Sequence, residues 1–147
     1  MGGINMMKVL IGGIAAGVVI NVGQFVVHMY LLADASAAIM KAIGAPEEPT
    51  GMMIGIFNVL GFATGITMIG VYAAIRPRCG PGVGTAIGAG IIVFILSELI
   101  PVLFWVASGV IGLGNYLPFF IATFVLLCAA AVAGAALYSE DEADEAA

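Results

Sequence analysis

Residues 72–82 read YAAIRPRCGPG, and residues 83–112 continue VGTAIGAGIIVFILSELIPVLFWVASGVIG. The second segment is apolar for longer than the roughly 20 residues that a membrane-crossing helix needs. Its only charge is Glu98, three residues before Pro101. The first segment is basic, and its prolines and glycines break the helices on either side. A basic turn feeding a long apolar run predicts an integral membrane protein, and the rest of the chain repeats the pattern.

Hydrophobic residues make up 63% of the 147 and charged residues 9%. A soluble domain carries about 25% charged residues, so this chain lacks the surface that water requires. The formal charge of -5 is local, since Glu140, Asp141, Glu142, Asp144 and Glu145 supply it. With no basic face to neutralise phosphates, nucleic acid is excluded as a partner. Cys79 and Cys128 give neither metal spacing nor a disulfide framework. No cofactor or metal is expected, and no serine-histidine-acid spacing or nucleotide loop suggests an enzyme.

Outward from the quoted stretch, four spans are expected, over residues 8–32, 52–75, 83–107 and 118–138. Together they form an all-α integral membrane four-helix bundle occupying residues 1–139. An acidic tail over 140–147 has no apolar residues to order it. The first run is too long for a signal peptide, whose apolar region has about 7–15 residues, so it is read as an uncleaved span. It carries Gly13 and Gly17, followed on the same stripe by Asn21, Gln24 and His28. The second span carries Asn58 and a second GxxxG pair, Gly61 and Gly65, while Thr64 and Thr67 can bond back to their own helix. In the third, Gly84 and Gly88 are expected to face another helix closely, because small residues let backbones approach in lipid. Pro101 should bend this span.

Between the first two spans, Asp34 or Ser36 is expected to cap a short surface helix ending near Gly44. APEEPTG, residues 45–51, should be an extended, solvated loop. Residues 109–118 form an uncharged connection whose Asn115 and Tyr116 suit the membrane interface. A weak echo links Asn21-Val22-Gly23 with Asn58-Val59-Leu60-Gly61.

Orientation follows the lysines and arginines. With both termini cytoplasmic, Lys8, Arg76 and Arg78 lie inside and Lys41 outside, and the reverse arrangement is worse.

YAAIRPRCGPGVGTA, residues 72–86, and GVVINVGQF, residues 17–25, resemble a group of small uncharacterised bacterial inner-membrane proteins with four predicted spans. The resemblance covers residues 8–138 and implies a multi-pass protein of the bacterial inner membrane. It implies no activity, substrate or cofactor. In that group an acid often follows the INVG string, where this chain has Gln24, which weakens a proton-relay reading of the first span.

At 1.5 Å of rise per residue, Gln24 and His28 lie about 24 and 30 Å from Lys8. By the same measure Asn58 lies roughly 27 Å from Arg76, and Glu98 roughly 24 Å from Gly82. The four are expected to form one polar layer. An ionised carboxylate in hydrocarbon is costly, so Glu98 must be protonated, paired or wet. The first functional reading is an accessory or structural subunit of a larger membrane assembly, because glycine and alanine faces exceed what four helices need internally. Its partners are lipid and either other membrane subunits or further copies of the chain. The alternative is a small oligomeric transporter or channel with Glu98 in the path.

A reporter fused after Ser139 should read cytoplasmic. A periplasmic reading would contradict either the span count or the orientation.

Overall fold

The structure is a computed structural model that describes residues 4–46 and 48–138. The acidic tail, Glu47 and the side chain of Asn115 lie outside the described residues. Everything regular among them is helical. Helix α1 (Met6–Val26) runs into a π turn (Val27–Leu31), followed by a short helix α2 (Ala33–Ala42). Helix α3 (Gly51–Cys79) returns. Helix α4 (Val83–Phe94), a second π turn (Ile95–Leu99) and α5 (Ile100–Ala107) make one continuous span, and α6 (Leu113–Ala135) closes the bundle. Among the described residues, four helices are long and apolar enough to cross a membrane: Met6–Leu31, Gly51–Cys79, Val83–Ala107 and Tyr116–Ala135.

Local chemistry sets the ends. Asn5 begins α1 by accepting the Lys8 N–H at 3.0 Å, and Thr50 begins α3 by accepting from Met53 at 3.3 Å. Two breaks fall elsewhere than the prolines suggest. Helix α3 continues through Arg76, Pro77 and Arg78, so the basic stretch is the last turn of a helix rather than a loop. Pro77 forfeits one hydrogen bond there. The helix stops at Gly80, whose φ of +80° suits glycine. Arg76 and Arg78 thus sit where a helix C-terminus favours positive charge. Similarly, α6 begins at Leu113 and carries Pro118 within it, so the connection before it is shorter than expected. Helix α2 ends near Gly44 as its sequence suggests, but neither Asp34 nor Ser36 caps it; Leu32 holds that position without a side-chain bond. Thr64 donates to Leu60 O at 2.8 Å, as its position in α3 allows.

The bundle is antiparallel, with α1 against α3 and α6, and α4 also against α3 and α6. Its core lies at the end bearing Lys8 and Arg76, called here the basic end. Ala16, Met68, Ile69, Ala73, Ala89 and Ala130 are wholly buried there. Backbone touches backbone in this half. A Cβ on Gly13 would fall 2.5 Å from Ile66 Cα, and one on Gly17 would fall 2.9 Å from Phe62 Cα. A Cβ on Gly65 would strike the backbone of both Gly13 and Gly17. On the other side of α1, Gly12 and Gly134 each leave room for the other's carbonyl, 2.6 Å from where a Cβ would stand. At this end Tyr138 stacks edge-on to Tyr72 and lies under the Arg76 guanidinium, 5.6 Å from the ring centre. Tyr72 also accepts the Gly82 N–H at 3.3 Å, tying the turn to the core.

Gly84 and Gly88 do not pack as expected. Nothing stands within 4 Å of a Cβ at either. The buried face of α4 is Ala86, Ala89, Gly90 and Val93. Positions 84 and 88 are two residues from Ala86 or Gly90, about 200° around the helix. Gly90 takes the close contact instead, with Leu127 O and Ala131 Cβ both 3.2 Å from its Cβ position.

The other end is loose. Residues 51–60 of α3 contribute no buried residue, and α5 buries only Val102.

Gly65→Leu should therefore abolish the folded monomer, since a side chain driven into two backbones exceeds the about 1–3 kcal/mol of ordinary overpacking. Gly88→Leu should leave the monomer's thermal midpoint in detergent nearly unchanged. Equal loss in both variants would contradict this assignment of faces.

Candidate functional site

Where the bundle loosens, a half-open chamber of about 810 Å³ lies between α1, α2, the first half of α3 and the second π turn. Beside it, and sharing part of its wall, is a smaller recess of about 200 Å³ lined by Gln24, His28, Ser36, Glu98, Tyr116 and Thr123, with Ile39, Met40 and Phe119 as its apolar floor. The two π turns shape this region. Each closes with an i to i+5 bond, Leu32 N–H to Val27 O at 2.8 Å in the first and Ile100 N–H to Ile95 O in the second. The second precedes Pro101, which has no N–H to return to Leu96 or Ser97, and widening the turn eases the ring against the preceding backbone. The sequence around the first offers no comparable cause. His28 lies in one π turn and Glu98 in the other. Such turns recur at functional sites because they displace side chains from the ordinary helical stripe.

The expected polar layer is present in part. Gln24, His28 and Glu98 all border both the recess and the chamber. None of the three bonds another. Glu98 Oε2 accepts the Tyr116 O–H at 3.0 Å. His28 Nδ1 meets Ser36 Oγ at 3.0 Å, and its ring lies against Phe119 with centroids 4.8 Å apart. Gln24 Nε2 reaches Thr123 Oγ1 only at 3.5 Å, the outer limit of a hydrogen bond. Gln24 Oε1 is buried and has no partner among the described residues.

Asn58 stands apart from the recess. It borders the chamber, but its amide donates to Ile54 O of its own helix at 2.8 Å. Its main-chain oxygen accepts from Asn21 Nδ2 at 3.2 Å, so the two asparagines of the NVG echo meet across α1 and α3. Gly61 makes this possible, because a Cβ there would overlap the Asn21 amide.

Glu98 thus bonds none of Gln24, His28 and Asn58: its partner is Tyr116. Reading Tyr116 as an interface aromatic at the end of a connection missed it, because α6 starts five residues before Pro118 and carries Tyr116 on its first turns. Thr123 was missed because one threonine in an apolar helix has no signal of its own. Ser36 does not cap α2; its hydroxyl faces His28. Ser97 and Glu98 both border the chamber despite the nearly 100° between neighbours on a regular helix.

Arg76 and Arg78 lie at the opposite end and take no part. Comparison with protein-family models, with curated proteins and with solved structures returns no match.

Proposed function

We propose that this chain is a small multi-pass protein of the bacterial inner membrane, with both termini cytoplasmic, whose chamber binds a small solute and passes it on within an oligomer. The observation that carries this reading is the recess. It gathers Glu98, His28 and an unsatisfied Gln24 oxygen in the half of the bundle where the first turns of α3 and nearly all of α5 stand clear of the core. Intramembrane acids that face a cavity mark solute or ion paths, and unsatisfied buried acceptors call for a donor. In the proposed orientation the chamber lies in the outer half. The glycine-packed basic half seals its inner end, so one chain by itself is a binding chamber and not a pore.

A second reading keeps the protein as an accessory or structural subunit of a larger assembly. It is favoured by Gly84 and Gly88, a GxxxG pair turned away from every helix of its own chain. The resemblance carried by residues 72–86 and 17–25 is compatible with both.

Water access to the chamber separates the two. In a background with Cys79→Ser and Cys128→Ala, Ser97→Cys should react with a membrane-impermeant maleimide from the outer face and stay unreactive from the cytoplasmic face. Met68→Cys, in the packed core, should be inert from both. A Ser97→Cys thiol as inert as the core thiol would overturn the chamber reading and leave the subunit reading.

A further inference from the structure

Resting on the reading of the chamber as a binding site, we propose that its ligand class is a hydrophobic cation, an amine or onium carried on apolar groups, with Glu98 as the counter-charge. The charge of the wall points there. Among the described residues the chamber lining includes two carboxylate side chains, Glu98 and Glu48, and neither a lysine nor an arginine. Lys41 follows Met40 in the chain but is exposed and outside the lining. An anionic headgroup would meet no cation in this wall and would face Glu98. A cation there relieves the cost of holding a carboxylate out of bulk water.

The geometry leaves Glu98 an oxygen for that role. Tyr116 occupies Oε2, and among the described residues Oε1 has no hydrogen bond. Gln24 Oε1 adds an acceptor with no donor among the described residues. Two acceptors without donors suit an N–H head or the polarised C–H groups of an onium, and they would be left unmet by a further acceptor. Asn21, Ser36, Asn58, Thr64 and Ser97 add uncharged polar groups, and the wall is otherwise apolar and aromatic. Phe25, Phe57 and the His28 ring line it, and aromatic faces favour a cation whose charge is partly desolvated. The volume of about 810 Å³ falls in the usual range for small-molecule sites, about 300–1,000 Å³. Access suits a molecule that arrives through the lipid. Residues 51–60 of α3 and nearly all of α5 stand clear of the packed core on the α3 and α5 sides.

The test uses the full chain in nanodiscs with tetraphenylphosphonium, and tetraphenylborate as its anionic counterpart of similar shape. Saturable binding is measured after subtraction of empty nanodiscs. Tetraphenylphosphonium should bind at least about tenfold more tightly than tetraphenylborate, a factor worth about 1.4 kcal/mol. Glu98→Gln keeps size and hydrogen bonding, and should remove that preference while leaving elution volume and helical circular dichroism unchanged. Glu98→Asp keeps the charge and should keep the preference. Equal binding of the two ions by the native protein, no saturable binding of either, or undiminished phosphonium binding by Glu98→Gln would each overturn the assignment. If Ser97→Cys is still reactive in that case, the chamber stands and only the ligand class falls. If Ser97→Cys is inert as well, the chamber reading falls with it.

Discussion

The backbone of Gly65 lies against the backbones of Gly13 and Gly17 with no side chain between them. In lipid, apolar side chains gain little by leaving one another's company for a helix surface, so close van der Waals contact and hydrogen bonds must hold helices together. This crossing, with Gly12 against Gly134 on the far side of α1, supplies that contact in the basic half. It also fixes register. With α1 seated on α3 at Gly13 and Gly17, Asn21 arrives beside Gly61 and bonds the Asn58 carbonyl, and Gln24 arrives beside Thr123 of α6. Beyond that level no glycine joins the helices, and the chamber opens.

The recess opens in the looser half for the same reason. A tightly packed helical core has no room for an acid and the groups that satisfy it. The π turns widen the backbone where His28 and Glu98 emerge, and α6 brings Tyr116 and Phe119 to meet them. The site therefore draws on four separate stretches of chain, three of which carry a titratable side chain, His28, Glu98 or Tyr116, into the recess.

That distribution explains how much was legible in the sequence. The apolar runs gave helix number and approximate limits, because length and hydropathy suffice for both. The pairs at Gly13/Gly17 and Gly61/Gly65 lie in close contacts, while Gly84 and Gly88, with the same spacing, do not. Spacing marks a smooth stripe, but which way the stripe turns depends on the neighbouring helices. Depth was readable from helix rise, and it placed Gln24, His28 and Glu98 at one level. Partner choice was not, since the hydroxyl groups of Tyr116, Thr123 and Ser36 find their partners only through helix rotation and a shifted π turn. Prolines misled at two ends. Pro77 and Pro118 are both tolerated within helical turns, and the stop signal in the quoted stretch is Gly80 with its positive φ.

The central claim is that one half of the bundle is locked by glycine contacts and the other is open around the polar recess. Amide hydrogen exchange of the full chain in nanodiscs, read by mass spectrometry, tests it directly. The account predicts that amides around Gly13, Gly65 and Gly134 exchange slowest, and that those of Val27–Leu31 and Ile95–Leu99 exchange measurably faster, because chamber water reaches the π turns. Uniform protection along all four spans, or slower exchange at the π turns than at the glycine crossing, would contradict it.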